Sequence, residues 1–142
     1  MIVVDVNLLL YSTIDAYDEH TRAHAWWQAA LNASEVVALS HVSIVGFMRI
    51  STNARIYVTP LSVQEAAGHV RDWLDRSNTT ILLPGPGHFD LTFDLLQRAG
   101  TGGNLTTDAQ LAALAIEHQA TLHSNDSDFG KFPGLRWVNP LS

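Results

Sequence analysis

The 142-residue chain contains no cysteine and only one lysine, Lys131. The first absence rules out a disulfide framework and a thiolate metal site, and it argues against a small, stapled, secreted fold. The second leaves seven arginines to carry almost all the positive charge, against 14 acidic residues, for a formal net charge of -6. Such a balance argues against a protein that holds nucleic acid by bulk electrostatics. Arginine still suits bidentate contact with phosphate or carboxylate, so local anion sites remain open. Also missing is a long hydrophobic run. The opening "MIVVDVNLLLYS" has no basic segment before its apolar residues, carries an aspartate within them, and falls short of the ~20 residues that span a bilayer. A soluble, cytoplasmic protein with no membrane contact is expected. There is no internal repeat, low-complexity segment or linker; "GTGGN" (100–104) and "PGPG" (84–87) are short punctuation. With 46% hydrophobic residues, the chain can build one core and is too short for two ordinary domains, so a single domain over 1–142 is expected.

Five short segments read as strands: 2–6, 36–39, 79–83, 120–124 and 135–139. Between them lie helical patterns. Residues 19–32 form one, and 62–77 open with Ser62 and Glu65 at capping-box spacing. A third, 88–100, ends on a glycine stop, and a fourth, 106–119, begins with a threonine cap. The first strand is apolar on both faces apart from Asp5, as in a strand covered by helices on each side. This alternation predicts an α/β fold, a three-layer α/β/α sandwich with a mostly parallel central sheet.

The stretch "SHVSIVGFMRIST" also reads as a helix, started by Ser40 or His41, with Ile44, Phe47 and Met48 at the spacing of a buried stripe. Gly46 sits in its middle, where glycine costs about 1 kcal/mol relative to alanine. Val42 and Ile50, one turn away on either side, offer no small-residue partner for a close helix approach.

Open parallel sheets bind ligands beyond the carboxyl ends of their strands, and several aspartates map to that edge. Asp5 ends the first strand, Asp126 and Asp128 follow the fourth in "HSNDSDF", and Asp108 lies in the first turn of the helix leading into that strand. Asp108 shares a face with Leu111, Ala112 and Ala115, so its carboxylate starts on the side facing the protein. Taken singly, Asp108 could serve the helix dipole, and Asp126 and Asp128 could be turn residues. Asp5 is harder to account for structurally, because a carboxylate in an apolar strand needs a cation or donor to offset its desolvation. Brought together, these groups would repel one another and raise one another's pKa. A divalent cation removes that repulsion, and all-oxygen ligation selects Mg²⁺ or Mn²⁺. Phosphodiester hydrolysis is the chemistry such a site suits.

"MIVVDVNLLLYS", "SHVSIVGFMRIS" and "TTDAQLAALAIEHQATLHSNDSDFGKFPGLRWVNPL", in that order, resemble the PIN-domain ribonucleases and, among them, the VapC toxins of VapBC toxin–antitoxin pairs. The resemblance covers nearly the whole chain and is most specific in the C-terminal third. It implies a metal-dependent endoribonuclease that cleaves structured RNA such as tRNA or ribosomal RNA. A homodimer and inhibition by a VapB-type antitoxin are implied with it. It places the family's acids on Asp5, Asp108 and Asp126 as metal ligands, with Asp128 supporting them and Asn7 in the usual start. The family's remaining acid, a glutamate in the helix after the second strand, falls on Gly46. The glycine therefore reads as the removal of that glutamate, by engineering, selection or natural decay, and an inactivated or weakened enzyme is expected.

Other candidates read more plainly. His20 and His24 stand at i, i+4 without a third ligand or an "HExxH" glutamate, so solvent-exposed histidines are expected. Trp26 and Trp27 point about 100° apart on their helix and cannot share one narrow buried stripe, so one of them is expected at the edge of the core, with a partner surface as the alternative. Arg49, one turn beyond Gly46, is the leading candidate to contact RNA phosphate or antitoxin carboxylates, ahead of Arg55. Two other functions compete. Asp5 as a phosphorylated nucleophile, as in haloacid dehalogenase phosphatases or receiver domains, needs paired early acids and a nearby lysine, and "DVN" supplies one acid. A catalytically dead module that only binds antitoxin or RNA would also account for Gly46.

Overall fold

Every residue of β1 (Ile2–Val4) and β2 (Val37–Ser40) is buried, and their side chains divide by parity. Ile2, Val4, Val37 and Leu39 enter one hydrophobic cluster, while Val3 and Ala38 enter another on the opposite face. This is what period-2 side-chain alternation produces in a sheet sandwiched between helices. The structure, a computed structural model, describes residues 1–142. The remaining elements are α1 (Val6–Thr13), α2 (His20–Asn32), α3 (His41–Ser51), α4 (Val63–Leu74), β3 (Thr79–Leu82), α5 (His88–Ala99), α6 (Leu105–Glu117), β4 (Thr121–His123) and β5 (Trp137–Val138). A 3₁₀ turn at Ser127–Lys131 lies between β4 and β5.

All strand pairs are parallel, in the order β3-β2-β1-β4-β5. The expected three-layer α/β/α sandwich is present, with a fully parallel sheet. One cluster packs β1 and β2 against α1 to α4 through Leu8, Trp27, Phe47, Val70 and Trp73. The other packs the reverse face against α5 and α6 through Leu95, Ala109, Ala112 and Leu122. No helix is long and apolar enough to cross a membrane.

Several elements carry their sequence signals. Ser62 and Glu65 form the capping box of α4, and α5 ends on Gly100 at φ 80°, a left-handed conformation that glycine adopts without strain. Others differ. β1 stops at Val4, and α1, absent from the strand-by-strand reading, begins one residue after Asp5. The carboxylate of Asp5 accepts the Val6 N–H and so caps α1, an arrangement that β-branched Val6 concealed by extending the strand pattern. The helix expected to start under a threonine cap begins instead at Leu105, preceded by Asn104 without a side-chain capping bond.

The chain moves outward from β1 through β2 to β3, then returns to place β4 on the other side of β1. The order therefore reverses at the β1–β4 boundary, where open parallel sheets form their ligand crevice.

Candidate active site

Asp5 lies at that reversal point. Its backbone N–H donates to His123 O (3.1 Å) across the boundary. Its carboxylate accepts two hydrogen bonds, from Val6 N–H at Oδ1 (2.8 Å) and from the Ser124 hydroxyl at Oδ2 (2.7 Å). Ser124 is fully buried, and its oxygen also accepts the Asp126 N–H (3.0 Å). Asp126 Oδ1 in turn accepts the Asp128 N–H (2.9 Å), which opens the 3₁₀ turn. One chain of hydrogen bonds thus ties Asp5, Ser124, Asp126 and Asp128 together. Ser124 was not singled out in the sequence; its only signal is a small polar residue closing a strand directly before the acidic turn.

Burial pushes the Asp5 carboxyl above its ordinary pKa, the bonds from Ser124 and Val6 hold it down, and the Asp126 charge raises it further. Asp108 reaches the same place from the first turn of α6. Burial first, and then the charges of Asp5, Asp126 and Asp128, push its pKa up to about 6. Four elements of the chain therefore converge on one knot of negative charge. One carboxylate oxygen from each of Asp108, Asp126 and Asp128 lies within 4.8 Å of the others. Asp128 thus joins the expected ligands Asp108 and Asp126 in that trio, and Asp5, whose carboxylate oxygens each accept one hydrogen bond, lines the same groove as Asp108. Lys131, the sole lysine, pairs with Asp128 Oδ1 at 3.1 Å where both side chains are about half exposed, so the pairing is weak and a cation can displace it. An all-carboxylate donor set with mutually raised pKa values fits a hard divalent cation.

The helix α3 is fastened to this site by serines. Ser40 caps it by accepting the Ser43 N–H (3.0 Å), and Ser43 Oγ donates to Val4 O (3.1 Å) at the end of β1. One turn further on, Gly46 faces α1, and a Cβ placed there would meet Val6 Cγ2 at 3.3 Å. The sequence offered no packing partner for this glycine; the structure supplies one from α1, which the strand reading had not contained. Gly46 and Arg49 line a groove of about 460 Å³ together with Asp5, Thr107 and Asp108. Arg49 is exposed. Asn7 lies half-buried in the first turn of α1, outside that groove lining.

The remaining candidates are structural. Of the two histidines expected as solvent-exposed, His24 is exposed and His20 half-buried, and the Nδ1 of each meets a backbone carbonyl at the end of α1, Tyr11 O (2.7 Å) for His20 and Ser12 O (3.1 Å) for His24. They clamp α2 to α1. Trp27 is buried edge-on to Trp73, and Trp26 stacks on His123 with ring centres 5.7 Å apart.

Comparison with known proteins agrees with this architecture. The PIN domain family model matches residues 2–135. The chain is 45% identical over 141 residues to Ribonuclease VapC33 of Mycobacterium tuberculosis, covering 99% of each protein. Among solved structures, VapC20 of M. tuberculosis, a sarcin-ricin loop cleaving toxin, superposes with TM-score 0.70 at 15% identity, covering 96% of this chain and 99% of that one. VapBC2 from Rickettsia felis, solved on a DNA fragment from its promoter, gives TM-score 0.68 at 21% identity, with 98% of each chain covered.

Proposed function

The chain belongs to the PIN-domain family and, within it, to the VapC ribonucleases, and from that premise we propose that it is a divalent-metal-dependent endoribonuclease toxin cleaving structured RNA such as tRNA or ribosomal RNA. The observation that carries this reading is the convergence of Asp108, Asp126 and Asp128 within 4.8 Å beside buried Asp5. Mg²⁺ or Mn²⁺ is the cofactor, and when bound it supplies charge neutralisation at the phosphate and an acidified water. Asp108, Asp126 and Asp128 would hold it together with Asp5. Ser124 keeps Asp5 and Asp126 in register by bonding both. Arg49, which lines the same groove, would hold an RNA phosphate, or the carboxylates of a VapB-type antitoxin that blocks it, and Asn7 would be a second such contact. Homodimerisation would extend the RNA surface.

Gly46 leaves α3 without the carboxylate that the family pattern has there, so the activity of this chain is weakened. A catalytically dead module that only binds antitoxin or RNA is the second reading, favoured by the same glycine. Incubating the purified chain with tRNA and ribosomal RNA, with Mn²⁺ or with EDTA, tests both. Mn²⁺-dependent cleavage that disappears in Asp5→Asn is expected. Cleavage indifferent to EDTA and to Asp5→Asn would sink the nuclease reading, and antitoxin binding without cleavage would favour the dead module.

A further inference from the structure

His20 and His24 stand one turn apart on α2, and each ring is fastened at one nitrogen only. The Nδ1 of His20 lies 2.7 Å from Tyr11 O and that of His24 3.1 Å from Ser12 O, consecutive carbonyls at the end of α1. A carbonyl oxygen can only accept, so each Nδ1 carries the ring proton and, in the neutral ring, each Nε2 keeps its lone pair. Neither Nε2 has a hydrogen-bond partner in the chain. His20 is half-buried with its Nε2 still open to solvent, and His24 is exposed. Both side chains line a cavity of about 510 Å³ between α2 and α4, which shares no lining residue with the carboxylate groove.

Histidines that ligate metals are built in this way. One ring nitrogen binds the ion while the other donates to a carboxylate or backbone carbonyl, which fixes the tautomer and the ring's direction and raises the ligand's basicity. Residues four apart share a helix face, and anchoring on consecutive carbonyls turns the two Nε2 atoms the same way, away from α1. The ring centres lie 5.5 Å apart. Two imidazoles on one tetrahedral ion, at Zn–N distances of about 2.0–2.1 Å, place their centres roughly 5 Å apart. Asp15 and His69 line the same cavity, but the trio of close-set ligands in this chain is Asp108, Asp126 and Asp128. The histidine pair therefore supplies two ligands, and water fills the remaining positions.

We propose that His20 and His24 form a second metal site, separate from the aspartates, which takes a divalent ion of the zinc, nickel and copper class through their Nε2 atoms. Imidazole nitrogen suits these ions, whereas Mg²⁺ and Mn²⁺ favour carboxylate oxygen, so the two sites sort different metals. Two protein ligands make an open, exchangeable site rather than the closed four-ligand shell of a structural zinc. Bound there, the ion joins the first two turns of α2. Through the two Nδ1–H bonds it also tightens the hold of α2 on α1, the helix that Asp5 caps. The inference stands apart from the ribonuclease reading and does not depend on it.

The test uses the full chain in excess Mg²⁺, which competes for the carboxylates. Paramagnetic Ni²⁺, added below one equivalent, is expected to broaden the NMR ring signals of His20 and His24 before those of the other histidines. Zn²⁺ binding is read by calorimetry in the wild type and in His20→Asn and His24→Asn. Asparagine keeps a side-chain N–H near the place of Nδ1, and so the bond to α1, but has no Nε2. Each variant should bind Zn²⁺ at least about tenfold more weakly, since even a residue that only orients a ligand is worth about 10–100-fold in metal affinity. Their thermal midpoints in EDTA should match the wild type, and Asp108→Asn should leave this Zn²⁺ binding unchanged. Broadening alike at every histidine, or at others first, would overturn the proposal, as would Zn²⁺ affinity unchanged in both asparagine variants. Zn²⁺ binding lost in Asp108→Asn and kept in the histidine variants would assign the ion to the aspartates and overturn it too. The Ni²⁺ measurement needs no substitution, so it decides the matter even where a variant fails to fold.

Discussion

Substituting Gly46 sets two effects of similar size against each other. Alanine in a helix interior is favoured over glycine by about 1 kcal/mol. The added Cβ, however, would stand 3.3 Å from Val6 Cγ2 and 3.8 Å from Val6 Cβ, and carbon atoms pack best at about 3.5–4.0 Å. Val6 must therefore give way by a few tenths of an ångström. Overpacking costs about 1–3 kcal/mol where neighbours cannot move, and Val6 is half-buried in the first turn of α1, so the low end applies. The net effect of Gly46→Ala should fall within about 0.5 kcal/mol of zero by this reckoning. In a Val6→Ala background the crowding is gone, and the same substitution should stabilise by about 1 kcal/mol. Urea unfolding of the four proteins in a double-mutant cycle gives the coupling directly. If Gly46→Ala stabilised both backgrounds equally, the Val6 contact would not be what keeps a glycine here. Gly46→Glu adds a carboxylate at the groove and should tighten Mn²⁺ binding and raise RNA cleavage by orders of magnitude, whereas Gly46→Ala should do neither. Alike behaviour of the alanine and glutamate variants in metal titration and cleavage would refute the missing-acid account.

Four further outcomes are expected. Asp5→Asn keeps a side-chain oxygen to cap α1 but removes the charge at the centre of the cluster, so Mn²⁺-dependent cleavage should vanish while the far-ultraviolet dichroism stays unchanged. Ser124→Ala strips a bond from Asp5 and leaves the Asp126 N–H without its acceptor, and should cost about 1–3 kcal/mol in urea unfolding and lower Mn²⁺ affinity; an unchanged urea midpoint would contradict the hydrogen-bond chain. Asp108 has its folded pKa raised to about 6, so the folded state holds that proton more tightly than the unfolded chain. Its contribution to the metal-free protein is unfavourable above pH 6 and fades as pH falls toward 4. The stability difference between wild type and Asp108→Asn should therefore shrink from pH 7.5 to 5, and wild-type Mn²⁺ affinity should fall over the same range. Added Mn²⁺ should raise the thermal midpoint by relieving repulsion among Asp108, Asp126 and Asp128, and EDTA should reverse the gain; a midpoint insensitive to both would argue that these carboxylates hold no cation.

Much of this protein was determined by local sequence. Alternating apolar strands and amphipathic helices specify the layered α/β sandwich because periodicity alone fixes which face is buried. Ser62, Glu65 and Gly100 marked helix ends through chemistry confined to one turn. The aspartates could be assigned to the sheet's carboxyl edge because each follows a strand or opens a helix. Tertiary structure decided the rest. Asp5 serves both as the cap of α1 and as the hub of the acidic cluster, which depends on a hydroxyl 119 positions away, that of Ser124. The constraint on Gly46 comes from Val6, 40 residues earlier, and the buried ring of His88 finds its partner in Glu117 on another helix. Sequence patterns carry short-range preferences, whereas burial, charge repulsion and hydrogen-bond partnership arise between residues that only the closed fold brings within a few ångströms.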